Sequence, residues 1–358
     1  MSTRPRITFD ARGRCNACQW AEEKRTLDWS IRESELNQIL DEYRSSNSSF
    51  DCVVPVSGGK DGSYVAHQLK NVYGMHPLAI TVTPALTLGL GNQNLQNFIA
   101  SGYNHIQINP SENQLRILNK HGFIHKGFPY FGWLMAMQAA PLKLAARLNI
   151  SLIFYGEEGE TEYGGSSKLK DVPFYDIGWM RDIYLEGGQD KIFEEAKLEN
   201  ESLPFFRFPT KDEISDRELK ITHWSYFENW DPYRNFLVAK KYCGLVEALE
   251  SNLGTFTNFA QNDQALYSLH AYMMYLKFGF GRATQDAGIE IRRGAMDRKQ
   301  ALNLVKLYDG IYPEQEIVIY LDYYQMSKPE FDLVIDRWTN KSLFEKVDGR
   351  WKPTFTIK

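Results

Sequence analysis

Four short apolar or β-branched runs, each followed by a helix-length segment, fill residues 50–155 and leave few folds open to the chain. The runs are 50–56, 77–82, 105–108 and 151–155. Between them, Tyr64, Val65, Leu69, Val72 and Tyr73 lie at helical spacing before Gly74, and a second helix is expected over 92–100, ending at Gly102. Asn109-Pro110-Ser111 caps a third, and the apolar stretch 131–148 reads as a buried helix kinked at Pro141. Strands alternating with helices predict an α/β fold, a parallel sheet with helices on both faces. In such sheets ligands bind beyond the carboxyl ends of the strands. Two loops stand there, 57–63 after the first strand and 156–165 after the fourth.

Outside this block the pattern differs. Residues 1–30 form an N-terminal segment with little periodicity, 30–43 reads as a helix, and the serine-rich stretch 45–49 as a loop. From 176 to 358 the chain reads as mainly helical, with helices over 233–242, 264–278, 282–293 and 297–308. The expected division is 1–30, a nucleotide-binding α/β domain over 31–175, and a helical region over 176–358 that completes the substrate site. With 43% hydrophobic residues the chain can bury a core. A net charge of −4 argues against a nucleic-acid binder. The first thirty residues hold no apolar run of signal-peptide length, and the 131–148 stretch is broken by Gln138, Pro141 and Lys143. Four cysteines, at 15, 18, 52 and 243, are too few for a disulfide scaffold. The expectation is a cytoplasmic protein with no membrane insertion.

Ser57-Gly58-Gly59-Lys60-Asp61-Gly62-Ser63 is the most informative string. A glycine pair lets backbone N–H groups turn toward one point, and the following helix adds free N–H groups and the positive end of its dipole. Lys60 adds a charge. The Walker pattern is not met, because Asp61 stands where Ser or Thr is required. The string resembles the PP-loop, Ser-Gly-Gly-x-Asp-Ser, of ATP pyrophosphatases, which cleave ATP between the α- and β-phosphates. That resemblance implies an adenine-nucleotide α-hydrolase-like fold, with residues 57–63 on ATP or its pyrophosphate and Asp61 near Mg²⁺. Gly62 stands in place of the usual serine, which leaves open whether Ser63 supplies the hydroxyl.

The loop Gly156-Glu157-Glu158-Gly159-Glu160-Thr161-Glu162-Tyr163-Gly164-Gly165 packs four carboxylates into ten residues. It is either a solvated acidic loop or a ligand surface, where glycines allow close approach and carboxylates accept hydroxyls or ammonium. Together with Arg4-Pro5-Arg6-Ile7-Thr8-Phe9-Asp10, Cys15-Asn16-Ala17-Cys18, Trp230-Asp231-Pro232 and the run from Tyr275 through Lys277, Gly279, Gly281 and Arg282 to Thr284, it resembles one family. These are the N-acetyl sugar amidotransferases (WbpG/PseA-type) of bacterial surface-polysaccharide and lipopolysaccharide synthesis.

The resemblance implies an enzyme that adenylylates a carbonyl oxygen on a nucleotide-linked N-acetyl sugar and replaces it with ammonia, releasing AMP and pyrophosphate. It implies a separate HisH-like glutaminase as the ammonia source, with a HisF-like protein, since Cys15 lies in a Cys-x-x-Cys pair and nothing else reads as a glutaminase triad. Lys60, Asp61, Lys277 and Arg282 are the catalytic candidates. For Lys277 and Arg282 a helix-capping or surface role is the alternative. Gly156, Glu157, Glu160 and Tyr163 are the substrate candidates, with sugar binding and ammonia guidance both open for the two glutamates. Asp231 and Asp263 are weaker candidates. Cys15 and Cys18 supply half of a tetrahedral zinc site. Similar sequences carry a second pair upstream that is not found here, so the balance falls against zinc. Two rivals are a PP-loop tRNA-modifying enzyme and a nucleotide-binding scaffold subunit.

Overall fold

A computed structural model describes residues 3–45, 49–214 and 218–357. Of the expected serine loop, Ser46, Asn47 and Ser48 lie outside the described residues. Helices α1 (Asn16–Glu23) and α2 (Trp29–Tyr43) precede strand β1 (Cys52–Pro55) and helix α3 (Lys60–His67), which runs on as a π-helical turn, Gln68–Val72. There follow β2 (Pro77–Val82), α4 (Gly89–Ala100), β3 (His105–Ile108), α5 (Glu112–Lys126), α6 (Phe131–Arg147) and β4 (Leu152–Tyr155). Short helices α7 (Gly159–Tyr163), α8 (Ile177–Trp179) and α9 (Asp190–Glu195) lead to β5 (Lys220–His223). The rest is α10 (Pro232–Cys243), α11 (Leu266–Phe278), α12 (Arg282–Arg292), α13 (Arg298–Tyr308), α14 (Ile317–Tyr324), α15 (Lys328–Trp338) and a hairpin, β6 (Phe344–Val347) with β7 (Arg350–Pro353).

The sheet is parallel throughout, in the order β3-β2-β1-β4-β5. The alternation of the strands explains why both faces are covered. Val53, Leu78, Ile80, Ile153 and Ile221 point into a core with Phe131 and Met135 of α6 and Leu269 of α11. Their neighbours Cys52, Val54, Ala79, Leu152 and Phe154 point the other way, onto Leu36 and Leu40 of α2, Val65 of α3 and Phe98 of α4. Burying each Val, Leu or Ile contributes about 1.5–3 kcal/mol. The α/β class expected from the sequence is thus observed. The fifth strand is a departure: Lys220–His223 comes from beyond residue 176, where helix was expected, and joins the sheet beside β4. Among the described residues no helix is long and apolar enough to cross a membrane.

Strand order decides where a ligand can sit. The chain runs outward from β1 through β2 to β3, then returns to place β4 on the other side of β1. The crevice beyond the carboxyl ends of β1 and β4 is therefore the switch point of the sheet. Both expected loops open there.

Candidate functional site

At the end of β1 the Val56 N–H still bonds Ile80 O at 2.8 Å, while the Thr81 hydroxyl donates to Val56 O at 2.8 Å. Ser57 is thus the first residue free of the sheet. Gly58 has φ +79°, and a Cβ there would lie 2.4 Å from the Leu95 backbone nitrogen of α4. Both the turn and the contact require glycine. Gly59 caps α3 without a side-chain bond, leaving the first N–H groups of the helix without a capping side chain.

The resulting cavity, ≈ 260 Å³, takes Ser57 through Gly62 on one side. Gly62 and Ser63 stand differently toward this cavity. A Cβ at Gly62 would meet Pro55 O at 2.7 Å and Val56 Cα at 3.0 Å, so a side chain is excluded by the strand itself. Ser63 is 1% exposed and does not line the cavity; its Oγ has no partner among the described residues. Ser63, a candidate from the sequence, is thus placed behind the cavity wall and not on it. Gly62→Ala sets a helix-propensity gain of about 1 kcal/mol against overpacking of about 1–3 kcal/mol. The expected net result is a fall in stability of about 1 kcal/mol in a thermal melt; a rise would show that the loop yields.

Asp61 and Lys60 form an ion pair, and Asn235 Nδ2, on α10, donates to Asp61 Oδ1 at 3.2 Å. Asn235 is fully buried and was not found from the sequence. The Trp230-Asp231-Pro232 motif explains its placement. Asp231 accepts from the Tyr233 and Arg234 N–H groups at the start of α10, and Pro232 occupies the first helical position. Asp231 is thus a helix cap.

Opposite the loop, Gly156 brings the end of β4 against Asp61: a Cβ there would sit 3.3 Å from Asp61 Cβ and 3.3 Å from Trp230. The four carboxylates that follow divide sharply. Glu158 caps α7 and accepts from Tyr184 Oη at 2.7 Å. Glu162 accepts from Trp20 Nε1 at 2.9 Å and Lys24 Nζ at 2.7 Å. Glu160, expected on substrate, is instead held by Arg6 Nε at 2.6 Å, Arg6 Nη2 at 2.8 Å and the Ser166 N–H at 2.8 Å. These bonds outweigh the burial that would raise its pKa, and the net direction is down. Glu160 pins the N-terminal segment and does not line the cavity.

Glu157 does line it, open to the cavity but otherwise enclosed by protein. Tyr163 Oη donates to Glu157 Oε1 at 2.9 Å. Burial, with the neighbouring Asp61 charge adding to it and Lys60 opposing, raises the Glu157 pKa to about 7. A carboxyl poised there exchanges protons at neutral pH.

Lys277 and Arg282 flank one turn yet part company. Lys277 donates to Lys126 O at 2.7 Å, capping the carboxyl end of α5, with Trp338 beneath it at 4.9 Å. It does not line the cavity, so the capping alternative is the one observed. Arg282 opens α12. Gly279, at φ +74°, ends α11, and Asp309 accepts from the Gly281 N–H at 2.9 Å, which aims Arg282 into the cavity. Burial disfavours its charge, but Asp286 Oδ1, 2.9 Å from Arg282 Nε, more than offsets this and the pKa is raised.

The remaining wall was legible only at Asp263, whose pKa burial raises to about 6. Tyr130, Phe259 and Tyr267 add aromatic faces, with Tyr130 and Tyr267 packed edge to face at 5.2 Å. No motif marked these three; such platforms suit a flat base. The loop is seated by Leu88 N–H bonding Asp263 O at 3.1 Å and by Gly91, where a Cβ would fall 2.4 Å from Asp263 Cα.

Cys15 and Cys18 begin α1 with their Sγ atoms 3.5 Å apart. Among the described residues no group of three or more His, Cys, Asp or Glu could hold a metal ion, so this half-site lacks its other half. Mg²⁺ asks less of a protein, because it is held by one or two carboxylates together with substrate phosphates and water. Asp61, whose carboxylate lines the cavity beside Lys60, is of the residue type that demand asks for.

Residues 253–357 match the family model described as LPS biosynthesis protein WbpG-like, C-terminal domain. The match takes in Arg282, Asp263, Phe259 and Tyr267 of the cavity wall. It supports a WbpG-type family and a part in lipopolysaccharide biosynthesis. No curated protein matches the chain.

Proposed function

From a chain that carries a WbpG-like C-terminal domain, we propose an ATP-dependent amidotransferase that converts the acetamido group of a nucleotide-linked sugar into an acetamidino group. The observation that carries this reading is one cavity at the sheet's switch point, bounded by the Gly58-Gly59 turn, Lys60, Glu157 and Arg282. The backbone N–H groups of the turn and Lys60 receive the β- and γ-phosphates. Asp61 would hold Mg²⁺, whose charge offsets that of the phosphates.

The acetamido carbonyl oxygen attacks the α-phosphorus, the bond to the β-phosphate oxygen breaks, and pyrophosphate leaves. Ammonia then adds to the activated carbon, and the carbon–oxygen bond breaks so that the oxygen departs in AMP. Lys60 and Arg282, both on the cavity wall, stabilise the negative charge that builds on phosphorus. The proton shed by the attacking nitrogen passes to Glu157. Tyr163 fixes the carboxylate through its hydrogen bond.

Ammonia comes, in this reading, from a separate HisH-like glutaminase, alongside a HisF-like protein. Burial of Cys52 and Cys243, 0% and 1% exposed, supports that division, since neither can serve as a glutaminase nucleophile. The test is an assay with ATP, Mg²⁺ and a panel of N-acetyl nucleotide sugars. AMP and pyrophosphate should form in equal amounts with ammonium present, while glutamine alone should give no turnover. ADP formation, or efficient use of glutamine by this chain alone, would overturn the proposal.

A further inference from the structure

Tyr163 has a second side. Besides the reaction cavity, it lines a neighbouring cavity of ≈ 180 Å³ formed by the end of α1, the end of α12 and the Trp230–Pro232 turn. Four cations border this space, Lys24, Arg25, Arg292 and Arg293, against two carboxylates, Glu162 and Asp231. Lys24 and Glu162 neutralise each other at 2.7 Å. Arg293 bonds Glu290 at 2.9 Å and lies 3.8 Å from Asp231.

Arg25 and Arg292 are different. Arg25 Nη2 donates to Arg292 O at 3.3 Å, and Arg292 Nη2 to Glu162 O at 3.4 Å. Arg292 also borders the cleft that holds Cys15 and Cys18. Neither has a carboxylate within 4.0 Å among the described residues. Two guanidinium groups without a carboxylate partner, Arg25 exposed and Arg292 half-buried, thus border a cleft that shares Tyr163 with the reaction site. A guanidinium fork matches two phosphate oxygens in a charge-assisted, bidentate pairing. The volume is small for a whole nucleotide sugar and suits a charged part of one.

Resting on the reading above, we propose that this cavity is an anion subsite for the diphosphate of the nucleotide-linked sugar. Arg25 and Arg292 grip the phosphates there, and the sugar extends past Tyr163 toward Glu157 and Lys60. Two phosphate sites then serve one reaction: the Gly58-Gly59 turn for ATP, the arginine cavity for the acceptor. Tyr163 stands between them, so the acceptor enters from the side opposite the pyrophosphate that leaves.

The test measures UDP binding by calorimetry to the full chain saturated with α,β-methylene-ATP, which fills the first cavity. UDP should still bind. The double variant Arg25→Gln/Arg292→Gln should weaken it at least about tenfold, with affinity for the ATP analogue within about twofold. Arg292→Lys keeps the charge and loses the fork, and should fall between the two, which guards against a folding defect in the double variant. Displacement of UDP by the ATP analogue, an absence of UDP binding, or equal binding by wild type and double variant would each overturn the subsite. The amidotransferase reading fails separately: UDP binding lost in the variant, but no AMP from any nucleotide sugar with the wild type, would keep the subsite and reject that function.

Discussion

Glu157→Gln should lower turnover by about 10²–10⁴-fold, the usual range for loss of a positioned base, while making the protein harder to melt. The two effects have one cause. Enclosure raises the Glu157 pKa to about 7, which means that the fold disfavours the carboxylate. Because the folded pKa lies above the unfolded one, Glu157's contribution is fully present below about pH 4.5 and is lost as pH rises toward about 7. At pH 8 the wild type therefore carries an unfavourable buried charge that glutamine lacks. The amide keeps the shape and still accepts the Tyr163 hydrogen bond. The expected gain at pH 8 is about 1–3 kcal/mol, seen as a Tm about 2–5 °C higher. Near pH 5, where wild-type Glu157 is already protonated, the difference should largely vanish. Wild-type kcat should rise through pH 7 and the variant's should not. A variant that loses activity and stability together would show Glu157 to be structural.

Lys60→Met should reduce AMP formation by about 10³-fold, the scale of losing one preorganised group facing transition-state charge. Lys60 is the loop's cation, and Arg282 on the cavity wall cannot replace it because Asp286 holds it at 2.9 Å. A second consequence separates this role from a packing defect. Lys60 holds the Glu157 pKa down against the effects of burial and of Asp61. Its removal should shift the residual pH–rate profile toward alkaline pH. A thousandfold loss with an unmoved profile would mean that the two residues do not share one site.

The parts of the fold that could be read from the sequence were those coded by local pattern. Four strands declared themselves by β-branched runs, and β1 with its glycine turn gave the position of the cavity. What remained hidden depended on distant partners. β5, Lys220–His223, contains one strongly apolar residue and becomes a strand by pairing with β4. The first turn of α3, from Lys60, has no apolar periodicity, because its purpose is to leave backbone N–H groups open.

The same distinction governs the site. In the acidic loop the four carboxylates look alike in sequence. Their partners lie far along the chain: Tyr184 is 26 residues from Glu158, Lys24 is 138 from Glu162, and Arg6 is 154 from Glu160. Glu157 is singled out by lining the cavity, with Tyr163, six residues on, as its hydrogen-bond donor. Lys277 and Arg282 could not be separated either, since which side of a turn faces a cavity depends on α5 and Asp309. Gly62 is the converse case. A departure from the expected serine that weakened the motif on paper is explained by the 2.7 Å approach of a would-be Cβ to Pro55 O.

The central claim is that the carbonyl oxygen of the acceptor is transferred to the phosphorus of AMP. Labelling the acetamido oxygen of the nucleotide sugar with ¹⁸O and weighing the released nucleotide tests it directly. The account predicts one labelled oxygen in each AMP and none in pyrophosphate. Unlabelled AMP, or label retained in the sugar product, would contradict it.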